Sequence, residues 1–304
     1  MRTIAGSENP LRQPRRPHHP PKRRSATLPA FLPILPPNAP PPVIAQPSDS
    51  STRSFDFIVI TAKAINPTTI PPLFAPLVAD TTTFVLIQNG VGNEEPFRTA
   101  YPTTSILSCV TWVGAGQPSP GTIHHAASED TQIGLFPNDS LDKTVEQDRL
   151  NTFVKLLKDG GTKVRVEADI QVARWEKVTW NAAWNPLTTL TGASTSAWLS
   201  SSPEALLTTR ALMADVIAVA RACGVPLRDE LADELIEKVK GLGPIYSSMY
   251  VDSRAGRALE VDVILGFPMR RAREEGLSVP TLRAVFAMVT AVDGRLRTEG
   301  QPLA

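Results

Sequence analysis

Short apolar runs separated by glycine and proline turns occupy the chain from Phe55 to about residue 167. FDFIVITAKA, beginning at Phe55, and TFVLIQ at residues 83–88 have the pattern of strands buried on both faces of a parallel sheet. Further strands are predicted at residues 105–113, 122–125, 131–136 and 163–166, with helical segments at 67–77 and 150–157. This alternation predicts an α/β layer.

After residue 167 the apolar positions recur at helical spacing. The clearest stripe is formed by Leu206, Met213, Val216, Ile217 and Ala220, within a helix predicted over residues 204–223. The other helices are predicted at residues 169–190, 230–240, 259–275 and 281–298. The second half of the chain is therefore expected to be all-helical, with the domain boundary near residue 167.

The first 54 residues differ in composition from the rest. Thirteen of the 29 prolines lie between Pro10 and Pro47, among basic clusters. Because proline removes backbone donors, this segment is predicted to be disordered or partly polyproline II. It is a poor match to a transit peptide, and a solvated tail or a wrongly annotated exon fits better. A binding segment for acidic partners or SH3-like domains stays open on composition alone.

Composition narrows the range of functions. The 304 residues have a net charge of +1 and are 42% hydrophobic, which is typical of a soluble protein and predicts no nucleic-acid partner. No apolar run approaches the ~20 residues that cross a bilayer, so no membrane partner is expected. Cys109 and Cys223 are expected to be reduced, buried thiols, and the histidines lack metal-ligand spacing. We expect a cytoplasmic protein without a metal site.

The segment EKVTWNAAWNP carries the strongest chemical signal. Lys177, Asn181 and Asn185 are four residues apart, which on a helix places an amine and two amides in a row about 6 Å apart. A lysine can protonate a carbonyl oxygen while hydride adds to its carbon, and carboxamides can hold hydroxyl and carboxylate oxygens. A solvated polar face is the alternative, but the intervening positions are mostly apolar, so the row needs partners.

Two weaker signals lie outside this helix. Ser248, in a predicted loop, precedes Glu260 at a predicted helix start, so the two could meet at one site, although such a carboxylate is more often a helix cap. QNGVGN, from Gln88 to Asn93, follows a predicted strand at the edge where open α/β sheets bind ligands. Its glycines permit close backbone approach, but a simple strand-to-helix turn fits the pattern equally well.

Taken in order, FDFIVITAKA, QNGVGNEE, ARWEKVTWNAAWNPLTTLTG, SSMYVD and GRALEVD resemble the signature segments of the ketopantoate reductase (2-dehydropantoate 2-reductase) family, within the 6-phosphogluconate dehydrogenase-like superfamily. The resemblance implies a partial Rossmann-like NADP-binding domain over residues 55–167 and a helical substrate-binding and catalytic domain over 168–304. It also implies reduction of 2-dehydropantoate, or of a related small 2-keto acid, by NADPH to give (R)-pantoate for pantothenate and coenzyme A synthesis. A homodimer is a candidate assembly.

The resemblance assigns roles by position. Lys177 matches the catalytic general acid, and Glu260 matches an active-site carboxylate that assists binding and catalysis. The positions that match substrate-binding residues are Asn181, Asn185 and Ser248, and those that match residues near the nicotinamide ribose are Lys63 and Asn89. Leu265 stands where the family commonly has an asparagine, so one polar contact is expected to be absent.

The upstream sequence departs further from the family. Members begin with a strand and a GxGxxG turn that holds the cofactor pyrophosphate at a helix N-terminus. Before Phe55 this sequence contains one glycine, Gly6, so that turn cannot be present there. Two hypotheses follow: an NADPH-dependent reductase with a divergent or wrongly annotated N-terminus, or a non-catalytic remnant that serves as a dimerisation or interaction module.

Overall fold

The structure, a computed structural model, describes residue 47 and residues 55–119 and 121–299. The strands are β1 Phe57–Ile60, β2 Thr83–Ile87, β3 Ser105–Ser119, β4 Thr122–Phe136 and β5 Val164–Val166. The α-helices are α1 Glu94–Ala100, α2 Lys143–Asp159, α3 Ile170–Thr191, α4 Thr195–Ser201, α5 Pro203–Ala222, α6 Leu231–Lys240, α7 Ser248–Arg254, α8 Phe267–Glu274 and α9 Pro280–Glu299. Shorter helices are the 3-10 turns Pro67–Thr69 and Pro71–Leu77 and the π-helix Asp262–Gly266. Apart from residue 47, the predictions for residues 1–54 lie outside the described residues.

The sheet has the strand order β1-β2-β3-β4-β5. The first three strands are parallel, β4 is antiparallel to β3, and β5 is parallel to β4. Successive residues of β2 point to opposite faces, so Phe84 packs with Phe97 on one face while Val85 packs with Phe153 on the other. The predicted α/β layer is confirmed, and β2 has the predicted two-sided burial.

The prediction that the strand starting at Phe55 is long and buried on both faces was wrong. β1 spans only residues 57–60, and Val59 is 43% exposed. Helix α2 covers the start of β1, where the rings of Phe57 and Phe153 are 5.1 Å apart, but not Val59. Burial on the second face depends on a neighbouring element, which the strand's own pattern does not reveal.

The segments predicted as three strands between residues 105 and 136 form one long hairpin. β3 runs on to Ser119, and the predicted pieces 122–125 and 131–136 are parts of β4. Register shifts between Val113 and Gly114, and beyond, absorb the irregular residues as bulges instead of ending the strand. Likewise α2 begins earlier than predicted, because Asp142 caps it by accepting hydrogen bonds from the backbone N–H groups of Thr144 and Val145.

The helical half is confirmed, with three differences. Helix α4 was not predicted, and the predicted helix 259–275 begins at Val261 and contains the π-helix before α8. Ser248 is the first residue of α7 and not a loop residue, because the Ser247 side chain caps that helix. The long helix α3 passes through Pro186 without ending, since it is packed against neighbours along most of its length.

The thiol prediction was half right. Both cysteines are free, and Cys109 is buried, but Cys223 is only partly buried. The guanidinium of Arg271 donates a hydrogen bond of 3.3 Å to its sulfur, which accounts for a thiol at a partly open position. Within the described part of the chain, no helix is both long and apolar enough to span a bilayer.

Candidate active site

The polar row on α3 faces the interior, as the apolar positions around it predict. Asn181 and Asn185 are buried, whereas Lys177 is partly buried. The side-chain nitrogen of Asn181 has no hydrogen-bond partner among the described residues. Because a buried amide left unpaired costs about 1–3 kcal/mol, this nitrogen is suited to an acceptor oxygen of a bound ligand.

Lys177 is held at the sheet. Its ammonium donates a hydrogen bond to the backbone carbonyl of Thr111 on β3. The pKa of the amine is lowered to about 8, mainly by burial and also by the positive charge of Arg174, while the negative charge of Glu260 opposes both effects. A lysine with a pKa near neutrality is charged at physiological pH and can still release its proton, which a general acid requires.

Glu260 is the point where the two halves of the molecule meet. Its Oε1 accepts a 3.1 Å hydrogen bond from the backbone N–H of Ala64, and its Oε2 accepts one of 3.3 Å from the side chain of Asn89. The ammonium of Lys63 lies 3.7 Å from Oε2. The structure thus brings together three of the predicted residues, Lys63, Asn89 and Glu260, beyond the carboxyl ends of β1 and β2.

A second buried carboxylate, which sequence reasoning missed, lies beside this group. Asp252 on α7 pairs with Lys63 through one oxygen and accepts bonds of 2.9 and 2.8 Å from Arg257 at the other. Lys63 therefore bridges two buried acids, Asp252 and Glu260. The available signal was the position of an acid one turn after Ser248, which places it on the same helical face.

Ser248 itself is exposed, at the start of α7. The neighbouring Ser247 fixes that helix end, since its hydroxyl contacts the Thr188 hydroxyl at 2.8 Å and donates to the Asn185 carbonyl at 3.4 Å. Ser248 thereby comes beside the Asn185 end of the polar row. Of the predicted substrate-binding residues, it is the one that lies at the surface.

The glycines of QNGVGN serve the contact between the domains. A Cβ at Gly90 would lie 2.4 Å from the Val263 side chain, and a Cβ at Gly92 would lie 2.1 Å from the Phe267 ring. Both glycines have positive φ, and the backbone N–H of Val91 donates to the Val263 carbonyl at 3.0 Å. The close approach expected from these glycines is therefore made by the helical domain.

Arg174 is the second residue that sequence reasoning missed. It is 1% exposed, and its guanidinium lies 2.7 Å from the buried carboxylate of Glu94. It also donates to backbone carbonyls just after β2 and within β3, among them Gln88 at 3.0 Å and Cys109 at 3.4 Å. Since Lys177 follows Arg174 on the same helix, this network fixes the height of the polar row above the sheet.

A cleft beside the sheet contains none of the predicted residues. It has a volume of about 430 Å³ and is lined by Trp112, Glu176, Lys238 and other residues of β4, β5 and α6. We regard the group around Lys177 and Glu260 as the functional site, because it combines a perturbed lysine, buried carboxylates and an unpaired amide.

Two family models match the chain and together span well over half of it. "Ketopantoate reductase PanE/ApbA" matches residues 34–138, and "Ketopantoate reductase PanE/ApbA C terminal" matches residues 169–293. The second match contains the α3 row and Glu260. The first contains Lys63 and Asn89.

Individual proteins give the same result. The chain is 25% identical over 243 residues to 2-dehydropantoate 2-reductase of Nostoc sp., covering 80% of this chain and 76% of that protein. The crystal structure of 2-dehydropantoate 2-reductase from Methylococcus capsulatus is 29% identical with a TM-score of 0.73, covering 83% of this chain and 78% of that one. A structure of the dimeric ketopantoate reductase from Staphylococcus aureus is 26% identical with a TM-score of 0.70, covering 82% and 81% respectively.

Proposed function

This chain belongs to the ketopantoate reductase family, and we propose that it reduces 2-dehydropantoate, or a related small 2-keto acid, with NADPH. The observation that carries the proposal is the environment of Lys177. Its amine has a pKa of about 8, and on the same helix face lies the buried, unpaired amide of Asn181. A dimerisation or interaction module needs neither feature.

Lys177 acts as the general acid in this proposal. A nicotinamide cofactor, when bound, would supply the hydride that adds to C2 of the keto acid. Lys177 gives the proton to the keto oxygen, so that the carbonyl becomes a secondary alcohol and the lysine is left neutral. Asn181, Asn185 and Ser248 bind the hydroxyl and carboxylate oxygens of the substrate, and Glu260 assists by orienting the groups around it.

Lys63 and Asn89 would hold the nicotinamide end of the cofactor. Both lie beyond the carboxyl ends of parallel strands, where open α/β sheets bind ligands, and the Lys63 side chain is 46% exposed. The glycine-rich turn before α1 does not suit the pyrophosphate, because Phe267 covers it and the first turn of α1 is acidic. Binding of the phosphates by this chain is therefore the part of the proposal that an experiment must test first.

The test is an NADPH titration followed by fluorescence, and then NADPH oxidation in the presence of 2-dehydropantoate. We expect micromolar binding and turnover that falls at least 100-fold in Lys177→Ala, the contribution that a general acid typically makes. Lys155→Ala is the matched control, because Lys155 is an exposed lysine on α2. Absence of NADPH binding by a folded chain would refute the reductase proposal and favour the remnant.

The pH dependence gives an independent check. A general acid works only in its protonated form, and kcat/KM follows the pKa values of the free protein, so kcat/KM should level off below pH 8 and fall as the pH rises through about 8, the pKa of Lys177. A homodimer is also a proposal for this chain, because the similar ketopantoate reductase from Staphylococcus aureus is dimeric. Light scattering on the purified chain tests it.

A further inference from the structure

The indole of Trp112 stands between the Lys177 amine and the 430 Å³ cleft. Trp112 follows Thr111, whose carbonyl accepts the Lys177 hydrogen bond. The Lys177 nitrogen lies 5.7 Å from the centre of the Trp112 ring. Trp112 also lines the cleft, whereas Lys177 is not among the described residues that line it.

The indole is held in place on several sides. Its Nε1 donates a 3.1 Å hydrogen bond to Gln132, whose own amide donates to Glu167 at 2.9 Å. The ring meets Trp180 edge-on, with centroids 5.8 Å apart and an interplanar angle of 77°. The ammonium of Lys238 lies 4.0 Å from the ring centre. A ring with this many contacts keeps one orientation and so can act as a fixed wall.

We propose that Trp112 is a positioning residue that excludes the water of the cleft from the Lys177 amine and holds that amine against the Thr111 carbonyl. Desolvation is the largest cause of the low pKa of Lys177, and the indole is the large apolar group beside the amine on the cleft side. Removing it would give the ammonium access to water and raise the pKa towards that of an ordinary lysine.

The charged groups around Lys177 do not replace this effect. Arg174, on α3 itself, lowers the pKa, and Glu260, just before the π-helix, raises it. Strand β3 presents only uncharged groups to the amine, the Thr111 carbonyl and Trp112. Arg174 and Glu260 remain in place when Trp112 is replaced, so the change in the pKa of Lys177 would report the loss of the indole that shields the amine from water.

The test uses the full chain labelled with ¹³C-lysine, with the Lys177 signal assigned through Lys177→Arg and titrated by NMR. In the unaltered protein we expect a midpoint near 8. Trp112→Ala should shift it upwards by about one unit, a ten-fold change in the dissociation constant. Trp112→Phe keeps a ring, so its Lys177 midpoint should stay close to that of the unaltered protein. Trp112→Leu provides a second variant if the alanine variant does not fold.

Trp198→Ala is the matched control, because the Nε1–H of Trp198 on α4 also donates a hydrogen bond to a side chain, that of Thr209. Trp198 is not among the described residues that contact Lys177. A Lys177 midpoint that stays near 8 in the folded alanine or leucine variants would overturn the proposal. An equal shift in Trp198→Ala would overturn it as well, because the shift would then reflect general loosening.

The activity consequence rests on the proposed function. If the chain is a reductase, the pH at which kcat/KM falls should rise by about one unit in Trp112→Ala and return to its original value in Trp112→Phe. The NMR titration needs no turnover, so a shifted midpoint in an inactive protein would support the role of Trp112 while refuting the reductase proposal. A shifted midpoint with an unchanged pH dependence of kcat/KM in an active protein would overturn the link between Trp112 and catalysis.

Discussion

Replacing Lys177 with methionine should stabilise the fold while abolishing catalysis. The amine has an ordinary pKa of 10.5 in the unfolded chain and about 8 in the folded protein. At pH 7 both states carry the charge, and the folded state bears the cost of burying it. The shift corresponds to about 3 kcal/mol at 1.36 kcal/mol per pKa unit.

Part of this gain is lost with the hydrogen bond to Thr111. A typical hydrogen bond contributes about 1 kcal/mol, and methionine fills a similar volume without a polar group. The expected net increase in unfolding free energy at pH 7 is therefore about 2 kcal/mol. Such a gain from removing a functional group is the usual relation between stability and activity at an active site.

The sign of the pH dependence follows from the lowered pKa. Between pH 8 and 10.5 the unfolded state binds more protons at this lysine than the folded state does, so the unaltered protein gains stability as pH rises. The advantage of Lys177→Met should be full below pH 8 and should shrink above it. Urea denaturation at pH 7 and pH 9.5 measures both values.

Lys155→Met serves as the control, since that exposed lysine pairs only with exposed Asp159 at 2.5 Å. It should change stability by less than about 0.5 kcal/mol at either pH. A Lys177→Met protein that is less stable than the unaltered protein at pH 7 would refute the reasoning. An advantage that does not depend on pH would refute the assignment of its cause to the buried charge.

Three further predictions concern the support of the site. Arg174→Met should lower the unfolding free energy, measured in urea titrations, by about 3–5 kcal/mol, because it leaves the buried Glu94 without its partner. The double variant Arg174→Met, Glu94→Gln should recover part of this loss, and an equal loss in the single and double variants would contradict the reasoning. In thermal melts, Gly92→Ala should destabilise the protein by roughly 2 kcal/mol more than Gly161→Ala. Both glycines have positive φ, but only a Cβ at Gly92 would clash, with the Phe267 ring, so similar losses in the two variants would exclude the clash. Burial raises the pKa of Cys109 to about 12, so this thiol should resist a disulfide reagent at pH 8 until the protein unfolds. Rapid modification in the native state would contradict its burial.

Predictions from sequence succeeded where the signal lies within a few residues. Helix α3 has its cap at Asp169 and its apolar pattern within one segment, so its extent and the row of Lys177, Asn181 and Asn185 followed from spacing alone. Helix α5 followed in the same way. The resemblance to a family added the roles of Lys63, Asn89 and Glu260, which the structure brings together.

The contacts that the sequence did not predict at the site join distant segments. Lys63 and Asp252 are 189 residues apart in the sequence, and Arg174 lies 84 residues from the Gly90 carbonyl that it binds. The exposure of Val59 and the continuity of the hairpin likewise depend on what packs or pairs alongside. No local pattern encodes these contacts, because each needs two faces whose positions are set by the rest of the fold.

The sequence by itself determined the class of the fold, the helix that carries the polar row and the order of side chains along it, since hydrogen-bonding periodicity and caps act over one or two turns. Tertiary structure alone decided that the Lys177 amine lies against Thr111 with a lowered pKa and that Glu260 receives donors from the other domain. The physical reason is that desolvation and charge pairing depend on distances in space, and those distances exist only after the helical domain has packed on the sheet.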